Sequence, residues 1–255
     1  MKKIILITIS FILSLSSLAA PFCVAHRAIG FGELENSLSA FEAAGRANAQ
    51  GIEFDLLHSS DGKTLVYHDS ILKRLTLGST CPVGKKINDL TSREIGENCK
   101  LKNGEEIPSF ENTLKVLSKY DSKIFIELKD TITNSDFQQI KKFYFDRPEN
   151  VFIISFSQEA LKKVISYRRT DEFFNQIRVI RLKKIVYFGK LGNYDGIDAR
   201  YIRKSKVKKY QRQGKIVGVF TKNSKRKIKK YLRKGVDFIT TNKYQRCENI
   251  IHSMN

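Results

Sequence analysis

Residues 51–69 read GIEFDLLHSSDGKTLVYHD, and the fold turns on how that stretch is interpreted. Positions 51–57 form a short apolar run broken by two acids, Glu53 and Asp55. Side chains alternate faces along a β-strand, so both carboxylates share one face. Asp61-Gly62 marks a hairpin turn, and His68-Asp69 follows it. An E-x-D pair on a strand is ordinarily a solvated edge. A buried strand tolerates two like charges on one face only when something compensates them.

Working outward, similar short runs recur at 22–26, 123–128, 151–156, 177–182, 196–199, 216–220 and 237–240. With 51–57 they make eight candidate strands, mostly β-branched, as parallel strands buried on both faces should be. Between them lie stretches of helical periodicity. Residues 37–50 place Leu38, Phe41, Ala44 and Ala47 on one stripe, and 109–119 does the same with Phe110, Leu114 and Leu117. The stretches 135–144, 157–167, 205–213 and 224–234 each open on a serine able to cap a helix. Gly214 and Gly235 close the last two. The segment 183–194 has no clear periodicity.

Regular strand and helix alternation without a linker predicts one (β/α)8 TIM barrel over residues 20–255, with an inserted segment at 58–107. A doubly wound open sheet would need a glycine fingerprint after its first strand, and HRAIGFGELENS at 26–37 matches that poorly. The first 19 residues form a separate object. Lys2 and Lys3 precede an apolar run, and Ser17-Leu18-Ala19 suits cleavage after Ala19, so a signal peptide and export to the periplasm or medium are expected.

The chain carries a net charge of +20, and loss of Lys2 and Lys3 leaves +18. Such an excess suits anionic surfaces or substrates, although a solvated lysine surface gives the same count. No aromatic and basic motif marks a nucleic-acid module. The basic stretch 200–246 reads either as a docking face or as solvated surface. Cys23, Cys81, Cys99 and Cys247 permit two disulfides in three pairings, and their spacing does not suit zinc.

Catalytic groups of a barrel collect at the C-terminal ends of its strands. Here those ends carry His26-Arg27, Glu53 and Asp55, and Glu127 with Lys129 on one face; His68-Asp69 follows the hairpin. Three carboxylates on two neighbouring strands suit one hard divalent cation, Ca²⁺ or Mg²⁺, better than zinc.

The segments HRA, ENSLSAFEAA, GIEFDLLHSSDGKTLVYHD and IFIELK resemble the glycerophosphodiester phosphodiesterase family, and weaker similarity runs through IPSFENTLKVL, IISFSQEAL and GVDFITTN. The resemblance implies a metal-dependent phosphodiesterase that releases glycerol 3-phosphate and an alcohol. It implies that His26 and His68 are the general acid and base, in an order the sequence leaves open. It further implies Glu53, Asp55 and Glu127 as metal ligands, with Arg27 and Lys129 on the phosphate. Family members often end the seventh strand with an aromatic residue and threonine; here Phe220-Thr221 stands there, and Phe220 is the expected wall of the substrate site. Three positions depart from or refine the pattern. Ala28 stands where the family usually has glycine, and Thr241-Asn242 replaces a Thr-Asp pair. Asn36 orients the first loop or starts the helix after it.

Two other functions fit the same residues. One is a phospholipase D-like activity on lysophospholipid or sphingolipid headgroups, with peripheral contact to an anionic membrane. The other is a non-catalytic module that binds phosphodiesters or lipids.

Overall fold

The computed structural model describes residues 20–186 and 191–254. The expected signal peptide lies outside them.

Eight parallel strands close into a barrel: β1 (Phe22–Ala25), β2 (Gly51–His58), β3 (Lys123–Leu128), β4 (Val151–Ser155), β5 (Arg178–Ile185), β6 (Gly196–Tyr201), β7 (Ile216–Val219) and β8 (Phe238–Thr241). Each pairs with the next, and β8 pairs back onto β1, with Ala25 opposite Thr241. All eight expected runs are strands of this TIM barrel. β5 and β6 run further than their apolar cores: Ile185 pairs with Tyr201 beyond the expected ends at 182 and 199.

Alternation along the strands sorts the core into two layers. Ile52, Phe54, Ile124 and Ile126 point outward and pack on the helices. Phe125, Phe152, Ile154, Leu182 and Phe238 fill the barrel interior. Gly218 makes room for this interior, because a Cβ there would lie 2.1 Å from the Phe238 ring.

The helices follow the expected positions with one correction at an end and two at their starts. The first, Leu38–Arg46, stops short of 50, so Ala47 is its exposed C-cap and not part of the buried stripe. The helix Asn134–Tyr144 is capped by Thr133 in a capping box with Asp136, and Ser135 lies inside it. The helix Lys204–Gln211 begins after Arg203 with no side-chain cap, so Ser205 is not its cap. In both cases the residue two before the serine has the extended backbone of a cap, and the residue between is already helical. Ser37, Ser109, Ser157 and Ser224 do cap their helices. Gly214 and Gly235 adopt positive φ after theirs. Among the described residues, Ser92–Asn98, Glu172–Gln176 and Tyr244–His252 are further helices whose pattern is too short or too mixed to be seen in sequence.

Cys23 bonds to Cys247, tying β1 to the last helix, and Cys81 bonds to Cys99. The second bridge lies in the 58–107 segment. That segment adds the strand Thr64–Val66 antiparallel to the end of β2. It buries a small core of its own around Tyr67, Leu72, Ile87 and Leu101.

His58 pins this segment to the barrel. Its ring nitrogens bond to Asp130 (2.9 Å) and Asp136 (3.0 Å), and Thr64 also donates to Asp136. Burial alone would lower its pKa, but the two carboxylates outweigh burial and raise it to about 9. The unfolded value is 6.5, so this ion cluster adds about 3 kcal/mol below that pH, and the contribution is lost as pH rises through 9. Denaturant unfolding at pH 6 and pH 10 should show that loss. In His58→Ala the pH-dependent contribution should vanish. The variant should be less stable by about 3–5 kcal/mol at pH 6, because Asp136 is then buried without its cation.

Candidate active site

Register builds the site. Asp55 of β2 lies opposite Glu127 of β3, two pairs beyond Glu53 opposite Phe125. The inward faces of two adjacent strands therefore bring three carboxylates together, and one oxygen from each of Glu53, Asp55 and Glu127 lies within 4.8 Å of the others. Likewise Ala25 opposite Thr241 places the next residues, His26 and Asn242, side by side. The hairpin closes the ring: the Tyr67 N–H donates to the Asp55 carbonyl at 3.1 Å, which sets His68 over the carboxylates.

Arg27 has φ +54° and ψ +32°, and Ala28 has φ +55°. Left-handed backbone costs about 1–2 kcal/mol in a residue with a Cβ. Here the turn aims the Arg27 N–H at Glu53 Oε2, 2.8 Å away. The usual family glycine would adopt this conformation freely, and Ala28 adopts it while fully buried.

Asp55 is the hub. It accepts from Asn36 Nδ2 (2.9 Å) and pairs with Lys129 (2.8 Å) and Arg27 (3.4 Å). Burial pushes its carboxyl up, but Lys129 and Arg27 outweigh that and hold it below its ordinary value. Asn36 thus orients a site carboxylate, while Ser37 caps the helix that follows. Burial, reinforced by Asp55 and Glu127, raises Glu53 well above the carboxylate range. Burial and Asp55 raise Glu127 as well. Lys129 also donates to Glu127 at 2.6 Å. Both expected phosphate cations therefore lie at the site with carboxylate partners.

The histidines differ in their support. His26 Nδ1 meets the Asn242 amide oxygen at 2.7 Å, and that acceptor places the proton on Nδ1 and leaves the Nε2 lone pair free of it. Burial, with Arg27 beside it, pushes His26 down to about 4. His68 Nδ1 meets Asp69 at 2.6 Å. Its pKa is lowered by burial, with Asp55 and Asp69 opposing. Arg74 links the two loops: it bonds Asp69 at 2.9 Å and Glu35 at 2.7 Å, and Glu35 accepts from Arg27 at 2.8 Å.

His26, Arg27, Glu53, His68, Glu127 and Lys129 line one cavity of about 190 Å³. Phe220 and Phe156 form its aromatic wall, edge to face at 5.7 Å. Asp198 also lines it and is missing from the sequence-based set. Burial pushes its carboxyl up to about 8. Its signal in sequence was a lone acid in an apolar strand run, weaker than the paired acids of β2. Glu35 and Arg74 left no such signal, because their roles are contacts across the barrel mouth; Asn242 stood out only as a departure from the family pattern, and its bond to His26 shows only in the structure. A larger cavity of about 650 Å³ shares His68 and Lys129, includes Asp69, and extends over the 58–107 segment toward Lys86 and Asn88.

Residues 26–181 match the model of the glycerophosphoryl diester phosphodiesterase family. The chain belongs to this family. Among curated relatives, glycerophosphodiester phosphodiesterase 1 of Bos taurus is 29% identical over 160 residues, which are 58% of this chain and 46% of the relative. The chain thus spans about half the length of the mammalian relatives it matches. A glycerophosphodiester phosphodiesterase of Bacillus altitudinis is 26% identical over 90% of this chain and 98% of its own. The crystal structure of a glycerophosphodiester phosphodiesterase from Parabacteroides distasonis superposes with a TM-score of 0.77 at 26% identity, covering 92% of this chain and 98% of that one. The family match begins at His26 and includes seven of the eight residues singled out in sequence; Phe220 lies beyond it.

Proposed function

We propose that the chain hydrolyses glycerophosphodiesters to glycerol 3-phosphate and an alcohol, with His26 as proton acceptor and His68 as proton donor. The observation that carries this is one cavity lined by two imidazoles, two cations, Glu53 and Glu127, with the buried Asp55 completing the carboxylate triad. Family membership supports the same chemistry.

The carboxylate triad fits a divalent cation. Three buried acids repel one another, Glu53 Oε1 has no hydrogen-bond partner, and oxygen-only donors suit Ca²⁺ or Mg²⁺. Held by Glu53, Asp55 and Glu127, that ion would stabilise negative charge building on the phosphoryl oxygens. Arg27 and Lys129 bind the same oxygens as charge-assisted donors. His26, unprotonated at neutral pH, takes the proton of the substrate's glycerol hydroxyl on Nε2 as that oxygen attacks phosphorus. His68 protonates the departing alkoxide, and Asp69 stabilises its imidazolium form. Water then opens the cyclic phosphate with the two roles exchanged. The glycerol lies against Phe220 and Phe156, and the leaving alcohol extends into the larger cavity over the 58–107 segment.

The test is a substrate panel on the chain from Ala20 onward: glycerophosphocholine, glycerophosphoethanolamine and lysophosphatidylcholine. Glycerol 3-phosphate from the first two is the expected product. Cleavage of lysophosphatidylcholine alone would replace this reading with the lipid-headgroup one.

A carboxylate in place of the amide at Asn242 would favour the His26 imidazolium. In Asn242→Asp the acid limb of the kcat/KM profile should therefore move to higher pH, since the acceptor must be unprotonated. An unmoved limb would assign the acceptor role elsewhere. We also infer export, to the periplasm or the medium. The N-terminal apolar run and two disulfides support it, since disulfides persist in oxidising compartments.

A further inference from the structure

The extension of β5 and β6 past the barrel rim carries a second feature. Lys184 and Ile185 end β5, Arg200 and Tyr201 end β6, and all four are exposed. Together with Lys222, after β7, and Lys227 and Lys230 on the helix Lys225–Leu232, they surround a cleft of about 450 Å³. Five cations line it, and no carboxylate does among its described lining residues. Lys222 is only 5% exposed, and its ammonium donates to the backbone carbonyls of Arg200 and Phe220 at 2.7 and 2.6 Å. Tyr231 forms the floor beneath it, with the Lys222 ammonium 5.0 Å from the ring centre.

Like charges gathered this way repel one another unless an anion neutralises them. The apolar side chains nearby narrow the choice of anion. Phe156 follows β4 and is 42% exposed, Ile185 is 47% exposed and Tyr201 is 40% exposed. The three strands are consecutive and parallel, so these residues form an arc at the C-terminal end of the barrel, the end at which Phe156 lines the catalytic cavity; Ile185 and Tyr201 share the outward face of their strands with Val179 and Ala199. Exposed aliphatic and aromatic groups interleaved with lysines match a bilayer interface, where apolar groups enter the headgroup region and ammonium groups reach lipid phosphates. A soluble polyanion would gain from the cations and leave the apolar arc in water.

We propose that this rim docks on an anionic phospholipid surface, with lipid phosphates seated in the cleft of Lys184, Arg200, Lys227 and Lys230. The inference deepens the proposed function: it rests on that end of the barrel being catalytic, and it directs the enzyme toward diesters released at, or still held in, a membrane. Its readout is binding, which is independent of turnover.

The test is flotation of the chain from Ala20 onward with vesicles of phosphatidylglycerol and phosphatidylcholine, against pure phosphatidylcholine. Starting at Ala20 removes the apolar N-terminal run as a source of membrane affinity. Each basic residue near such a surface contributes about five-fold in affinity. The triple variant K184E/K227E/K230E should therefore bind phosphatidylglycerol vesicles about 100-fold more weakly or worse. It should turn over soluble glycerophosphocholine as before. A control of equal net charge, K115E/K162E/K163E, reverses exposed lysines on two other helices and should lose less than about ten-fold. Equal losses in the two variants would overturn the proposal, as would equal binding to phosphatidylcholine vesicles or tighter capture of a single-stranded oligonucleotide in the cleft. A chain that binds vesicles in the cleft-dependent way but cleaves no diester would remove the proposed function and leave the docking surface standing.

Discussion

Replacing His26 or His68 with alanine is expected to lower kcat on glycerophosphocholine by about 10²–10⁴-fold in each case, the usual yield of one positioned general acid or base. Neither ring is part of the hydrophobic core, so the unfolding transition of each variant should stay close to that of the parent. The double variant should be hardly slower than the worse single one, because two groups whose proton transfers serve one displacement at phosphorus act as a unit. The two singles should differ in a second respect. His26 is oriented by an amide and His68 by a carboxylate, so Asp69→Asn should impair the donor while leaving the acceptor limb of the pH profile in place. Near-normal turnover in either alanine variant would eliminate the two-histidine mechanism.

Chelation is expected to produce an effect as large. The buried triad of Glu53, Asp55 and Glu127 is only partly neutralised by Lys129 and Arg27, and Glu53 is pushed furthest from its ordinary ionisation. EDTA should abolish turnover, and Ca²⁺ or Mg²⁺ should restore it. A thermodynamic readout accompanies the kinetic one. An ion that binds only the folded chain stabilises it by about 2.7 kcal/mol at one hundred times its Kd. For a domain of this size that is about 5–10 °C in Tm. In Glu53→Gln the Tm gain with added metal should largely disappear, since one ligand has lost its charge while its shape is kept. Full activity and an unchanged Tm in excess chelator would take the metal out of the mechanism.

The parts of this protein readable from sequence are those that depend on one strand or one helix at a time. The eight apolar runs determined the barrel, because burial on both faces imposes continuous β-branched stretches of the right length. The i, i+2 spacing of Glu53 and Asp55 determined that they share a face, because strand alternation leaves no other choice. The same rule places Glu127 with Lys129.

What only the tertiary structure decided lies between elements. The register of β1 on β8 brings Asn242 to His26, and no local pattern announces a pair 216 residues apart. The Arg27–Glu35–Arg74–Asp69 chain, the unpaired site oxygen of Asp198 and the pairing of Cys23 with Cys247 are of the same kind. So is the cationic rim: in sequence, the lysines of 200–246 were indistinguishable from solvated surface. The strands β5 and β6 gather four of its lining residues because their hydrogen-bonded ladder continues after the apolar residues end. Burial determines local sequence strongly, whereas partners across the barrel mouth are set by closure, which only the assembled strands express.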